Sequence, residues 1–369
     1  MSAPIQYPSR LIISKKALRH NVQAYKSWLQ PGTRLMLMIK AAGYGTDDTG
    51  LAKLLEEQGL VEHLGVAYFN EGVVLRQAGI KLPIMVMNPA GQAAADFVPY
   101  HLEYTLHCPE QLPELAALPL TTRQQLAIHL KFDTGMHRLG FTPEQATELA
   151  DTAKKLQLHI TGVYTHLASS PEPAHDDFTH RQVALFDEAY ATLTKSLGYR
   201  PWRHVLNSAG IVRFPQYQYE MVRAGMGIYG LDPAGERQAE LQPIARWITR
   251  ISQINTLNMG ETVGYVRMGK ITHDNTRVAV LPVGYADGYK RLYSNGRARV
   301  WLNGQEAPVI GNVCMDMTFV DVTGIDCRVG DEVELFGPHI NIRELAASAH
   351  TIDYEILTST GPRVQRVFE

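Results

Sequence analysis

Lys40 ends an apolar run, Leu35–Ile39, and is followed by Ala41, Ala42, Gly43, Tyr44 and Gly45. Burying an ammonium at the end of a strand costs free energy unless the amine is paired or neutral. Two readings follow: a lysine emerging at the rim of a sheet, or an amine of lowered pKa that bonds a carbonyl compound. The small residues after it leave room for a bulky cofactor against the loop. Tyr265, in Val263-Gly264-Tyr265, reads on its own as an ordinary strand tyrosine. A free phenol titrates near ~10, so proton transfer at neutral pH needs tuning. Arg223 on its own reads as a surface or packing arginine, and His204 on its own as a satisfied core residue.

The elements that must position these residues show in the apolar pattern. Strand-like runs occupy Leu35–Lys40, Leu64–Phe69, Ile84–Met87, Tyr104–Cys108, Ala127–Asp133, Ile160–His166, His204–Asn207 and Met221–Tyr229. Amphipathic stretches such as Thr49–Gln58, Asn70–Ala78, Glu144–Lys155 and Arg181–Leu197 lie between them. Apolar strands alternating with amphipathic helices predict a parallel sheet covered on both faces. About eight such units fit an α/β fold of the (β/α)8 TIM-like barrel kind, with a doubly wound open sheet as the alternative. Lys40 then stands at the C-terminal rim of the first barrel strand, where barrels carry their active sites.

After Leu231-Asp232-Pro233 the texture becomes short strands separated by turns: Thr249–Leu257, Arg277–Pro282, Ala298–Leu302, Ala307–Val313, Thr318–Val322 and Glu332–Phe336. An amphipathic stretch near Ile342–Ala349 follows. The expected division is a barrel over 11–238 and a β-rich domain from 1–10 and 239–369.

With 369 residues, 20% of them charged, and a net charge of -2, the chain gives no sign of a nucleic-acid or anionic-membrane partner. Its apolar runs are far shorter than the ~20 residues of a membrane helix. The N-terminus lacks a signal-peptide core, and the expected location is cytoplasmic. Cys108, Cys314 and Cys327 have no CxxC spacing, which argues against a disulfide framework and a structural zinc site. No metal is expected.

The residues now assembled resemble those of the alanine racemase family, fold-type III pyridoxal phosphate enzymes. The family's Lys-Ala-x-x-Tyr-Gly motif matches Lys40, Ala41, Tyr44 and Gly45. The likeness continues, in the family's order, through 131–140, Tyr164-Thr165-His166, Asn207-Ser208-Ala209, Val222-Arg223, Tyr229-Gly230, 284–288, 311–316 and Tyr354-Glu355. It spans nearly the whole chain, which makes it far more specific than one lysine motif.

The resemblance implies that pyridoxal 5'-phosphate is held covalently by Lys40, which also serves as a base on one face of a small amino acid. It implies a second base on the opposite face, Tyr265 from the other subunit of a homodimer with shared active sites, connected through His166 to the cofactor-side network. Arg223 would donate to the pyridine nitrogen, with His204 in support. An arginine there disfavours protonating that nitrogen, weakens the ring as an electron sink and favours reprotonation at the α-carbon over transamination. Ser208, Gly225 and Met226, with Asn207 and the hydroxyls of Tyr44 and Tyr354, would hold the phosphate. Arg138 would bond the phenolic oxygen. Lys131 resembles a lysine often carbamylated in the family, the alternative being a plain lysine paired with Asp133 or Asp316. Tyr285, Met315 and Tyr354 would narrow the pocket, with Arg291 at its inner mouth. Cys314 would be an apolar contact.

The implied activity is alanine racemisation, supplying D-alanine for peptidoglycan. The alternatives are a broader serine racemase, a decarboxylase of the same fold type and a non-enzymatic cofactor carrier. Arg223 argues against the decarboxylase, which uses a carboxylate there. The second domain with Tyr265 and Met315 argues against the carrier. The chain departs from the family pattern at Ala42 and Gly43, at His137 where glycine is usual, and at Gln365 where proline is common.

Overall fold

The computed structural model describes residues 7–369, so residues 1–6 of the expected 1–10 segment lie outside the described residues. The chain forms two compact units. One takes Ala17–Gly43 and Asp48–Gln242; the other takes residues 7–16, Tyr44–Asp47 and Pro243–Glu369. The first strand, β1 (Ser9–Ile13), lies mostly inside the 11–238 segment expected for the barrel domain. It pairs instead in the second unit, because a short apolar strand carries no mark of which sheet will take it.

The first unit is an eight-stranded parallel sheet. Its strands are β2 (Arg34–Met38), β3 (His63–Val66), β4 (Ile84–Val86), β5 (Leu102–Leu106), β6 (Ile128–Lys131), β7 (Ile160–Tyr164), β8 (Trp202–His204) and β9 (Met221–Ala224). Pairing runs in sequence order from β2 to β8, with β9 on the open side of β2. A hydrogen bond from Arg223 N to Leu206 O, 3.0 Å long, nearly closes the barrel between β9 and the chain after β8. The sequence reading of a TIM-like barrel holds.

Helices cover the outside, as their apolar spacing requires. Asp176–Leu197 buries Val183, Phe186, Tyr190, Leu193 and Leu197 on one stripe and stops at Gly198, whose φ of 82° suits the left-handed cap. Inside, successive residues of a strand alternate faces, so His129 and Lys131 of β6 point the same way. Glu103, Thr105, His129, Lys131, His204 and Arg223 are all buried polar groups of this unit. A barrel interior this polar requires partners for its hydrogen-bonding groups.

The second unit is mostly β. A six-stranded sheet runs β16-β15-β18-β10-β1-β19, a three-stranded sheet runs β11-β14-β17, and β12 pairs with β13. The strands are β10 (Ala245–Arg250), β11 (Gln253–Leu257), β12 (Thr262–Val263), β13 (Gly269–Lys270), β14 (Thr276–Leu281), β15 (Arg299–Leu302), β16 (Gln305–Pro308), β17 (Thr318–Asp321), β18 (Glu332–Phe336) and β19 (Gln365–Phe368). The expected single strand Thr249–Leu257 is therefore two strands in different sheets, broken at Ile251-Ser252. Trp247 anchors the larger sheet, wholly buried with its indole N–H donating to Ser9 Oγ at 2.6 Å.

Candidate active site

Lys40 stands one residue beyond β2, after Ile39, and the backbone then turns the unusual way. Ala41 (φ 53°, ψ 55°), Ala42 (51°, 47°) and Gly43 (63°, 44°) make a left-handed turn that L-residues visit at a cost of roughly 1–2 kcal/mol each. Glu71 holds it. Its carboxylate accepts from Ala41 N at 2.7 Å and, with the other oxygen, from Ala67 N at 2.6 Å and Tyr68 N at 3.2 Å.

Four cations gather around this point in the barrel unit. Burial first, then Arg138 and Arg223, push the Lys40 amine below its ordinary value, while Glu71 opposes them. Burial, with Arg138 and Arg223, pushes Lys131 down to about 8. His166 is held well below its usual range by burial and by Arg223, Arg138, Lys131 and Lys40, so it is a neutral imidazole. Within the barrel unit, Lys131 and Asp133 form no ion pair among the described residues. Asp133 instead accepts from Gly135 N and His137 N, and Asp316 pairs with Arg363 at 2.8 Å.

Arg223 is fixed by four acceptors. One terminal nitrogen donates to His204 Nδ1 at 2.8 Å and to His204 O; the other donates to Thr165 O at 2.7 Å and Val205 O at 3.2 Å. None of the described residues accepts from its Nε, which is left as the donor for a ligand atom. Burial lowers its pKa to about 10, so it stays a cation at neutral pH.

Beyond β8, Asn207 Oδ1 accepts from Gly210 N at 2.9 Å and Ser170 Oγ at 2.8 Å. Ser208 Oγ accepts from Gly225 N at 2.8 Å, which leaves its own hydroxyl hydrogen to donate. Met226 N is buried and has no acceptor among the described residues. Converging cations, a spare hydroxyl donor and an unmatched backbone N–H are the donor set an anionic, phosphate-bearing group fits.

The second unit brings together the rest. Tyr265 is 71% exposed, after Gly264 at φ 74°, and its carbonyl accepts from Asn312 Nδ2 at 3.3 Å. Gly264, Tyr265, Cys314, Met315 and Met317 line one depression. Tyr285 and Ala286 donate their N–H groups to Cys314 O and Met315 O at 3.0 and 3.1 Å. A Cβ at Gly284 would overlap both carbonyls, so only glycine allows that approach. Burial raises the Cys314 thiol, which suits an apolar contact rather than a nucleophile. The Tyr44 and Tyr354 rings lie 6.3 Å apart.

Family models for the alanine racemase N-terminal domain match residues 13–233, and for the C-terminal domain residues 244–368. The alanine racemase of Desulfovibrio desulfuricans is 39% identical over 96% of each chain. That of Symbiobacterium thermophilum is 37% identical over 98% of this chain and 97% of its own. The chain belongs to the alanine racemase family. Among solved structures, the Clostridium difficile alanine racemase superposes with a TM-score of 0.93 at 31% identity, covering 99% of this chain and 97% of that one. The Bartonella henselae alanine racemase, solved with covalently bound pyridoxal phosphate, gives 0.88 at 26% identity over 99% of this chain and 100% of that one.

Three structural features of this family member were missed in the sequence. Glu71 left one trace, an acid three residues after Tyr68 at a helix start, which is a capping-box spacing. His129 left another, two residues before Lys131 on one strand face. Glu103 was a charge at the edge of an apolar run. His137, where the family pattern has glycine, sits at φ 52°, which explains the usual preference.

Proposed function

We propose that the chain interconverts L- and D-alanine with pyridoxal 5'-phosphate at the C-terminal mouth of the barrel, as a homodimer in which Tyr265 of a second copy faces Lys40. The observation that carries this reading is a lysine amine biased toward its neutral form beside a fixed, buried Arg223. When bound, the cofactor supplies an electron-withdrawing ring that stabilises negative charge at the substrate α-carbon.

Lys40 Nζ anchors the cofactor and then holds or moves a proton on one face of that carbon. The Tyr265 hydroxyl does so on the other, with neutral His166 behind it. Arg223, a cation at neutral pH, would hold the cofactor's ring nitrogen through its Nε–H, and Arg138 would hold the phenolic oxygen. Asn207, Ser208, Gly225 and Met226 hold the phosphate, together with the hydroxyls of Tyr44 and Tyr354. Tyr285 and Met315 keep the side-chain pocket near the size of a methyl group. The exposed apolar surface at Tyr265, Val266, Met315 and Met317 supports burial against a second copy. No helix among the described residues is long and apolar enough to cross a membrane. A cytoplasmic site and a role in supplying D-alanine for peptidoglycan complete the proposal.

The test is incubation of the purified protein with single enantiomers of alanine, serine and lysine, followed by chiral resolution and borohydride trapping. Racemised alanine and a reduced adduct on Lys40 are expected. Unchanged enantiomers, or an adduct on another lysine, would overturn the reading.

A further inference from the structure

A row of polar side chains runs through the barrel interior away from Arg223. His204 Nε2 lies 3.1 Å from His129 Nδ1, and His129 Nε2 lies 2.9 Å from Glu103 Oε2. The residues sit on β9, β8, β6 and β5, and all are buried: Arg223 at 3%, His204 and His129 at 0%, Glu103 at 9% exposure. Gly162 on β7 makes the space, since a Cβ there would overlap the His129 ring. Tyr164 stacks on His204 with 10° between ring planes.

The hydrogens in this row have one consistent arrangement. A guanidinium has donors and no acceptor, so His204 Nδ1 must present a lone pair to Arg223. The His204 proton then sits on Nε2 and is given to His129 Nδ1. That leaves the His129 proton on Nε2, given to Glu103. His204 is thereby neutral, in accord with the burial and the neighbouring Arg223 that push it well below its usual range. Any other placement sets two donors or two lone pairs face to face in a dry interior, a cost of about 1–3 kcal/mol per unmatched group. Glu103 is where the polarity is set. Its second oxygen faces His63 Nε2 at 3.8 Å.

We propose that Glu103 and His129 are positioning residues that act through His204, fixing its tautomer so that Arg223 is held as an oriented donor with Nε turned to the cofactor. This rests on the racemase reading above and extends it two residues deeper into the barrel than the Arg223–His204 pair. Neither residue touches substrate or cofactor. Both control the direction of Arg223, which does.

Neutron diffraction on crystals of the cofactor-loaded wild-type protein reads the hydrogens directly. Deuterium on Nε2 and none on Nδ1 of both His129 and His204 is the expected result; occupancy of either Nδ1 overturns the proposal without reference to any variant. Kinetics on two substitutions add the functional side. Glu103→Gln keeps an oxygen that accepts from His129, whereas Glu103→Leu has none. The leucine variant should lose about tenfold or more in kcat with KM within about twofold, and the glutamine variant should recover to within about threefold of wild type. Equal kcat for leucine and wild type, or glutamine as poor as leucine, contradicts the assignment. Wild-type racemisation of alanine, assayed alongside, tests the parent reading separately: its absence sinks that reading, while the neutron map still decides the tautomers.

Discussion

Arg223 and His204 are joined twice, by a 2.8 Å hydrogen bond to the imidazole Nδ1 and by a second one to the backbone carbonyl of the same histidine. The planar fork of a guanidinium reaches both while its other arm takes Thr165 O and Val205 O. A lysine amine is a point donor and cannot span them. Arg223→Lys keeps the charge and loses the geometry, and displacement of a reacting group by about 1 Å costs on the order of 10²-fold in rate. We expect a kcat loss of that order, equal in both directions, with a near-native circular dichroism spectrum. Activity within about threefold of wild type would mean charge alone suffices at this position.

Tyr265 offers a clean separation of the two faces. Its ring is exposed and its backbone is held by Asn312, so Tyr265→Phe removes the hydroxyl with little cost to the unit that carries it. General acid–base groups contribute about 10²–10⁴-fold. In deuterated water, α-deuterium incorporation from L-alanine should fall by about that factor, and incorporation from D-alanine, assigned to Lys40, should fall less. Equal loss from both enantiomers would refute the division of labour.

The barrel, the β-rich second domain and the residues gathered near Lys40 were legible because they rest on local signals: apolar runs of strand length, turn residues and motifs in a fixed order. What was not legible depends on which strands become neighbours. β1 could have joined either sheet. The Glu103–His129–His204 row needs β5, β6 and β8 to be side by side before its members touch. Ala41 and Ala42 gave no warning of the left-handed turn, since alanine has no preference for positive φ; Glu71, thirty positions away, imposes it.

Gly162 tests the same row by crowding it. It has no side chain because the His129 ring occupies the place of a Cβ. Gly162→Ala should cost about 1–3 kcal/mol of stability, as overpacking of a dense interior does. Its kcat should fall toward that of Glu103→Leu because His129 must move away from His204. A variant that melts lower yet turns over like wild type would show that His129 tolerates displacement.

Lys131 links burial to the pH dependence of stability. Its folded value of about 8 lies below the ordinary 10.5. The unfolded chain therefore binds more protons between those values, and this group's contribution makes stability rise with pH across the window. Below about pH 8 the folded state carries the whole penalty, at most about 3 kcal/mol. Lys131→Met removes it. The stability gained by the variant over wild type in denaturant titrations should be largest near pH 7 and shrink steadily toward pH 10.5; a difference independent of pH would refute the burial argument. Carbamylation would relieve the same penalty chemically, turning a strained cation beside Arg138 into an anion that pairs with it. Bicarbonate should accordingly raise the melting temperature of the wild-type protein and leave that of Lys131→Met where it was. An equal response from both proteins would rule out a carbamate at this position.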